Sequence, residues 1–125
     1  MAFVPDHRDV LDLVLEVAGV SMSDMCQRRI TDPSSRVAAW VYVGTCRRWT
    51  ASSFVQIAAG VGRNHSTTIG WARRYALGAM GFLPHWDQEV FLPIAYSVRD
   101  AIGRRPWRAS ANAGGFPAAI CRLRQ

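Results

Sequence analysis

The sequence contains no lysine: all 15 of its Lys-or-Arg positions are arginine, in a chain of 125 residues. A Walker-type Gly-Lys-Ser/Thr phosphate loop therefore cannot be built anywhere in it. Acids are missing from the middle of the chain. After Asp32 no carboxylate occurs until Asp87, and the same interval carries Arg36, Arg47, Arg48, Arg63, Arg73 and Arg74. No stretch reaches the roughly 18 uncharged apolar residues of a membrane span. Met1-Ala2-Phe3-Val4-Pro5-Asp6 has neither the basic nor the apolar region of a signal peptide, so a cytoplasmic, nucleoid-associated location is the expectation. The three cysteines, Cys26, Cys46 and Cys121, are too far apart for zinc or redox spacing. They read as reduced, small apolar packing groups. His7, His65 and His85 are equally scattered, and no pair has metal-ligand spacing. No Gly-x-Ser-x-Gly is present. Asp9 and Asp12 fall in the first turn of a helix, where the dipole favours them. Nothing here makes a catalytic set, and neither enzyme activity, a cofactor nor a metal is expected.

What is present is a core and a charge. Hydrophobic residues make up 50% of the chain, enough for one folded domain, and the formal net charge is +6. A GC-rich genome would account for arginine in place of lysine. It does not account for where the arginines sit. Five acids, Asp6, Asp9, Asp12, Glu16 and Asp24, fall in the first 24 residues, which leaves the acid-free span to present a positive face. Ordinary surfaces mix both signs, so such a face points to a polyanionic partner.

The periodicity is helical nearly throughout, with no strand signal. Asp6 can cap a first helix that buries Val10, Leu13, Val14 and Val17 and ends at Gly19. Ser21 and Asp24 have capping-box spacing for a short second helix. Arg28, Arg29, Asp32 and Pro33 read as a basic loop over residues 27–35. Residues 36–48 predict a third helix, apolar almost all round in its middle and therefore central. Ser53-Phe54-Val55-Gln56 is a second capping box, opening a short helix with Ile57, Ala58 and Val61 inward. Asn64 can cap the next helix, through Tyr75. Residues 78–84 read as a linker, and residues 86–102 as a last helix that Pro93 could interrupt. The expectation is an all-α helical bundle over residues 1–103, followed by a basic, flexible tail over 104–125.

A short helix, a glycine turn and a second helix make the plan of a helix-turn-helix. In that plan the first turn of the second helix meets base edges in the major groove. Gly62-Arg63-Asn64-His65-Ser66-Thr67-Thr68 suits the task. Its hydroxyls can donate to or accept from bases, and a threonine methyl can touch the thymine methyl. The exposed amides and positive dipole end favour phosphate. The plain alternative is that Asn64, Ser66 and Thr67 only cap a helix.

This run resembles the Gly-Arg-Asp-His-(Ser/Thr)-Thr-Val signature in the C-terminal DNA-binding domain of the bacterial replication initiator DnaA. That domain is a Trp-repressor-like helix-turn-helix. Ser53-Phe54-Val55-Gln56-Ile57 resembles the family's Ser-Leu-Pro-Glu-Ile, and Val20-Ser21-Met22-Ser23-Asp24-Met25 its Val-Asp-Leu helix. The likeness extends over about residues 9–102 in order of elements. It implies that His65, Ser66 and Thr67 read bases, supported by Arg63, and that Arg29 of the Arg28-Arg29 loop enters the minor groove. It also implies that Arg36 binds phosphate. Ser53, Asn64, Thr68 and Arg73 complete the expected double-stranded-DNA-binding set. Without an ATPase domain such a protein would regulate transcription, or act as an accessory or competitor at initiator-type sites. Another protein of the replication or transcription machinery is a further possible partner.

The likeness is imperfect. Asn64 stands where the family has Asp, and the motif fits two frames. Matching Ile57 and Ile69 to the family's inward residues turns Ile69, Ala72 and Ala76 to the core and Thr67 and Thr68 to the groove. Matching His65 turns Thr68 and Trp71 inward, and a tryptophan in a small closed site is costly. The first frame is the expectation. The tryptophans, Trp40, Trp49, Trp71, Trp86 and Trp107, could instead stack on single-stranded bases, although core or rim positions are the plainer reading. Gly103-Arg104-Arg105-Pro106, with Trp107 and Arg108, could grip phosphate or be a solvated tail. The rival reading of the whole chain is a protein-interaction module, with Phe82, Trp86 and Phe91 exposed for a partner.

Overall fold

Asp6, Ser21, Asp32, Ser53 and Asn64 each place a side-chain oxygen on the free amides of a helix start. These caps punctuate an all-α fold. The computed structural model describes residues 5–104, as α1 (His7–Ala18), α2 (Met22–Met25), α3 (Pro33–Trp49), α4 (Phe54–Ala59), α5 (His65–Met80) and α6 (His85–Arg104). The caps of α1, α2 and α4 are reciprocal boxes. No helix among the described residues is long and apolar enough to cross a membrane.

α3 is the axis of the bundle, packed against α1, α5 and α6. Its residues Val37 to Cys46 are buried without interruption. A helix with no polar face must be surrounded. α5 can approach it closely because Gly44 has no side chain. The Tyr75 ring sits 2.1 Å from where a Cβ on Gly44 would be. Gly78 does the same for α6, whose Phe91 ring lies 2.7 Å from the equivalent point. Tyr42, fully buried, donates its hydroxyl to the Ile57 carbonyl at 2.7 Å and so pins the end of α4. Burial pushes the Tyr42 phenol far above its ordinary range.

Several boundaries differ from the sequence expectation. α3 begins at Pro33, three residues early, because Asp32 caps it and proline fits the first helical position, where no amide partner is needed. Residues 78–80 belong to α5, since Gly78 is a packing contact and the helix ends at Gly81, φ 82°. α6 runs unbroken through Pro93, which is exposed, so water can serve the carbonyl one turn back. Phe91 is buried rather than exposed. Gly103 and Arg104 are helical, Arg104 pairing with Asp100 at 2.8 Å. The remainder of the expected tail, with Arg105, Pro106, Trp107, Arg108 and Cys121, lies outside the described residues.

Candidate nucleic-acid interface

α4, a turn over residues 60–64 and α5 form one local unit. The turn closes with the Arg63 amide on the Ala58 carbonyl at 2.9 Å. Gly62 takes the left-handed conformation, φ 67°, that a side chain would strain. The first turn of α5 then emerges with His65 and Ser66 exposed and Thr67 half-buried. Asn64 Oδ1 accepts from the Thr67 amide at 3.1 Å, the Thr67 hydroxyl at 3.1 Å and the Ser66 hydroxyl at 2.7 Å. Both hydroxyl protons are thus committed to the cap. The oxygens keep free lone pairs, so the pair faces solvent as acceptors. His65 is held by an edge-on contact with Phe54, 6.5 Å between ring centres, and Phe54 lies under the Arg47 guanidinium at 4.2 Å.

On the other side of α5 stands the loop over residues 26–32. Arg28 and Arg29 are exposed there. Farther along the outward face of α5 come Gly70, open to solvent, and the exposed Arg73 and Arg74. Arg28, Arg29, Arg47, Arg48, Arg73 and Arg74 make no ion pair with any described acid. Asp24 and Asp32, the acids nearest the loop in sequence, are occupied as helix caps. Ser53 is exposed, and its hydroxyl oxygen accepts from the Gln56 amide at 3.2 Å.

Three of the expected contact residues have internal partners in the structure. Thr68 is 0% exposed, and its hydroxyl donates to the His65 carbonyl at 2.7 Å, so it faces the core and not a groove. Thr68 and Trp71 thus face as the frame set by His65 expects. Thr68, Trp71, Ala72, Tyr75 and Gly78 form the inward side, Ala72 as the first frame expected, while Ala76 is exposed. The cost expected for Trp71 does not arise. It sits half-buried at the rim of an open cavity of about 350 Å³, under the Arg63 guanidinium at 5.8 Å. Arg36 is committed elsewhere. It pairs with the nearly buried Asp87 at 2.6 Å and donates to the Thr31 carbonyl at 2.7 Å. Arg63 is also spent internally, donating to the carbonyls of Gln27 and Arg28.

No known family, curated protein or solved structure matches the chain.

The sequence placed Arg47 and Arg74 in the acid-free span and Phe54 in a capping box, but not the contacts these residues make. Arg47 and Phe54 meet across the α3–α4 loop to support His65, and Arg74 lies over Trp40 at 5.8 Å. No local signal announces such pairs. Of the other tryptophans, Trp40 and Trp49 are buried and Trp86 is exposed. Cys26 is exposed and Cys46 buried.

Proposed function

We propose that the chain is a double-stranded-DNA-binding protein in which α4 and α5 act as a helix-turn-helix. One observation carries the reading: the first turn of α5 offers His65, Ser66 and Thr67 between two groups of arginines that have no acidic partner among the described residues. α5 lies in the major groove with this turn at the base edges, and Arg29 reaches the neighbouring minor groove. Because the two hydroxyls present acceptors, they select base-edge donors, the amino groups of cytosine or adenine. Arg28, Arg47, Arg48 and Arg73 supply phosphate contacts, which position the protein without reading sequence. Such a protein occupies or occludes a site; transcription control, or competition at initiator-type sites, is the role that fits. No reaction is assigned to it.

Selection of binding sites from random duplexes, by the wild type and by His65→Ala, tests the proposal. A short motif that blurs at one or two positions in the variant is expected. Enrichment of no motif by the wild type counts against base reading.

A second reading has its own observation. Met80, Phe82 and Trp86 are 58%, 71% and 63% exposed and cluster at the α5–α6 turn, as a protein-contact patch would. Retention on heparin and on random duplex, abolished by salt, separates the two readings.

A further inference from the structure

The loop over residues 26–32 has no regular structure, yet it carries the two arginines that the DNA-binding reading needs at a fixed place. Its fastenings are few. Ile30 packs on the core. Arg36 donates to the Thr31 carbonyl at 2.7 Å. Arg63 reaches from the start of α5 and donates from both terminal nitrogens, one to the Arg28 carbonyl at 3.2 Å and the other to the Gln27 carbonyl. Beneath the loop lies the cavity of about 350 Å³, walled by Trp40 and Trp71 and edged by Arg28 and Thr67. The loop is therefore anchored on the core by Ile30 and tied beside the cavity by the side chains of Arg36 and Arg63.

Arg63 is built as a strut. Its backbone is fixed by the turn, its amide bonded to the Ala58 carbonyl at 2.9 Å. Its guanidinium lies over the Trp71 ring at 5.8 Å. Its Nε is buried and has no hydrogen-bond partner among the described residues. The fork that would grip a phosphate in two places is already closed on two neighbouring carbonyls. With those carbonyls held, Arg28 edges the cavity and Arg29 is exposed.

We infer that Arg63 is a positioning residue: it sets the distance between Arg29 and the first turn of α5, so that both meet a duplex as one rigid unit. The inference rests on the DNA-binding reading, and adds that specificity depends on a residue that touches no nucleotide. A lysine could not replace it, since a single ammonium lacks the planar fork that spans both carbonyls.

The test is a double-mutant cycle with Arg29→Ala and Arg63→Ala, read by fluorescence anisotropy on the duplex that the wild type selects. Each single change should weaken binding about tenfold, and the double variant should be no weaker than Arg29→Ala. Arg63→Lys should behave as Arg63→Ala. In the free protein, backbone NMR order parameters at residues 27–30 should fall in Arg63→Ala, while those of α5 stay rigid. That measurement reads the strut without DNA and shows that the variant is folded. Additive losses, with the salt slope falling by about one when Arg63→Ala is made in the Arg29→Ala background, would make Arg63 a phosphate ligand. That result overturns the inference and leaves the DNA reading standing. Full binding by Arg63→Lys, or unchanged order parameters at residues 27–30, also overturns it. If the wild type binds no duplex, the DNA reading falls and the inference with it.

Discussion

The Thr68 hydroxyl donates to the His65 carbonyl one turn back on α5, at 2.7 Å, from a position with no solvent exposure. The bond is local, so the hydroxyl holds nothing across the core. Thr68→Val keeps the shape, removes a buried polar group together with its bond, and should change stability by less than about 1 kcal/mol in either direction. DNA site preference should be unaltered. A thermal melt and a competition assay against a one-base variant of the selected site check both halves. A lost base preference would put Thr68 back in the groove.

Asn64 gives the opposite coupling of stability and binding. Aspartate keeps the acceptor for the Thr67 amide and adds a negative charge at the positive end of the α5 dipole. Asn64→Asp should stabilise the fold by about 0.3–1 kcal/mol at low salt. In the proposed complex the same carboxylate stands where phosphates approach, so duplex affinity should fall. A raised melting temperature with undiminished affinity would place DNA away from this turn.

Gly70 lies on the outward face of α5 with open space where a Cβ would be. Glycine inside a helix costs about 0.5–1 kcal/mol relative to alanine, so Gly70→Ala should raise the melting temperature. Gly70→Glu should fold as well as the wild type and lose duplex binding, because it sets a carboxylate in the middle of the arginine face. Retained binding in Gly70→Glu would favour the Met80–Phe82–Trp86 patch as the working surface.

The fold carries a pH dependence through His7. Its Nδ1 is 2.9 Å from the Ser52 hydroxyl. Burial lowers its pKa below the ordinary 6.5, against the opposing pull of Asp6 and Asp9 and with a small push from Arg8. The unfolded chain thus binds the proton more readily. His7 adds stability above about pH 6.5, and this is lost as the pH falls toward the folded-state pKa. Melting temperatures should decline from pH 6.5 toward 5, and less steeply in His7→Gln. An equally steep decline in His7→Gln assigns the loss to another group.

The helix starts were legible because a cap is a local event: Asp6, Ser21, Ser53 and Asn64 bond to amides two or three residues away. The facing of α5 was not, because it is decided across the bundle. Gly44 admits the Tyr75 ring and the open cavity admits Trp71, and together they select the frame that puts Thr68 inside. The arginines divide the same way. That the acid-free span holds exposed, unpaired cations could be read from the sequence. That Arg36 would find Asp87, 51 positions away, and Arg63 the carbonyls of Gln27 and Arg28, could not. A guanidinium assigned to phosphate by its place in a motif can be taken by whichever acceptor the fold brings first.

The central claim is that the arginine face binds a DNA duplex. Its most direct test is the affinity for a 20–30-base-pair duplex, measured by anisotropy across a salt series. Four to six phosphate contacts from this face predict a linear fall of log K with log salt, of slope about −4 to −5. A flat response, or no binding at the lowest salt, would contradict the account.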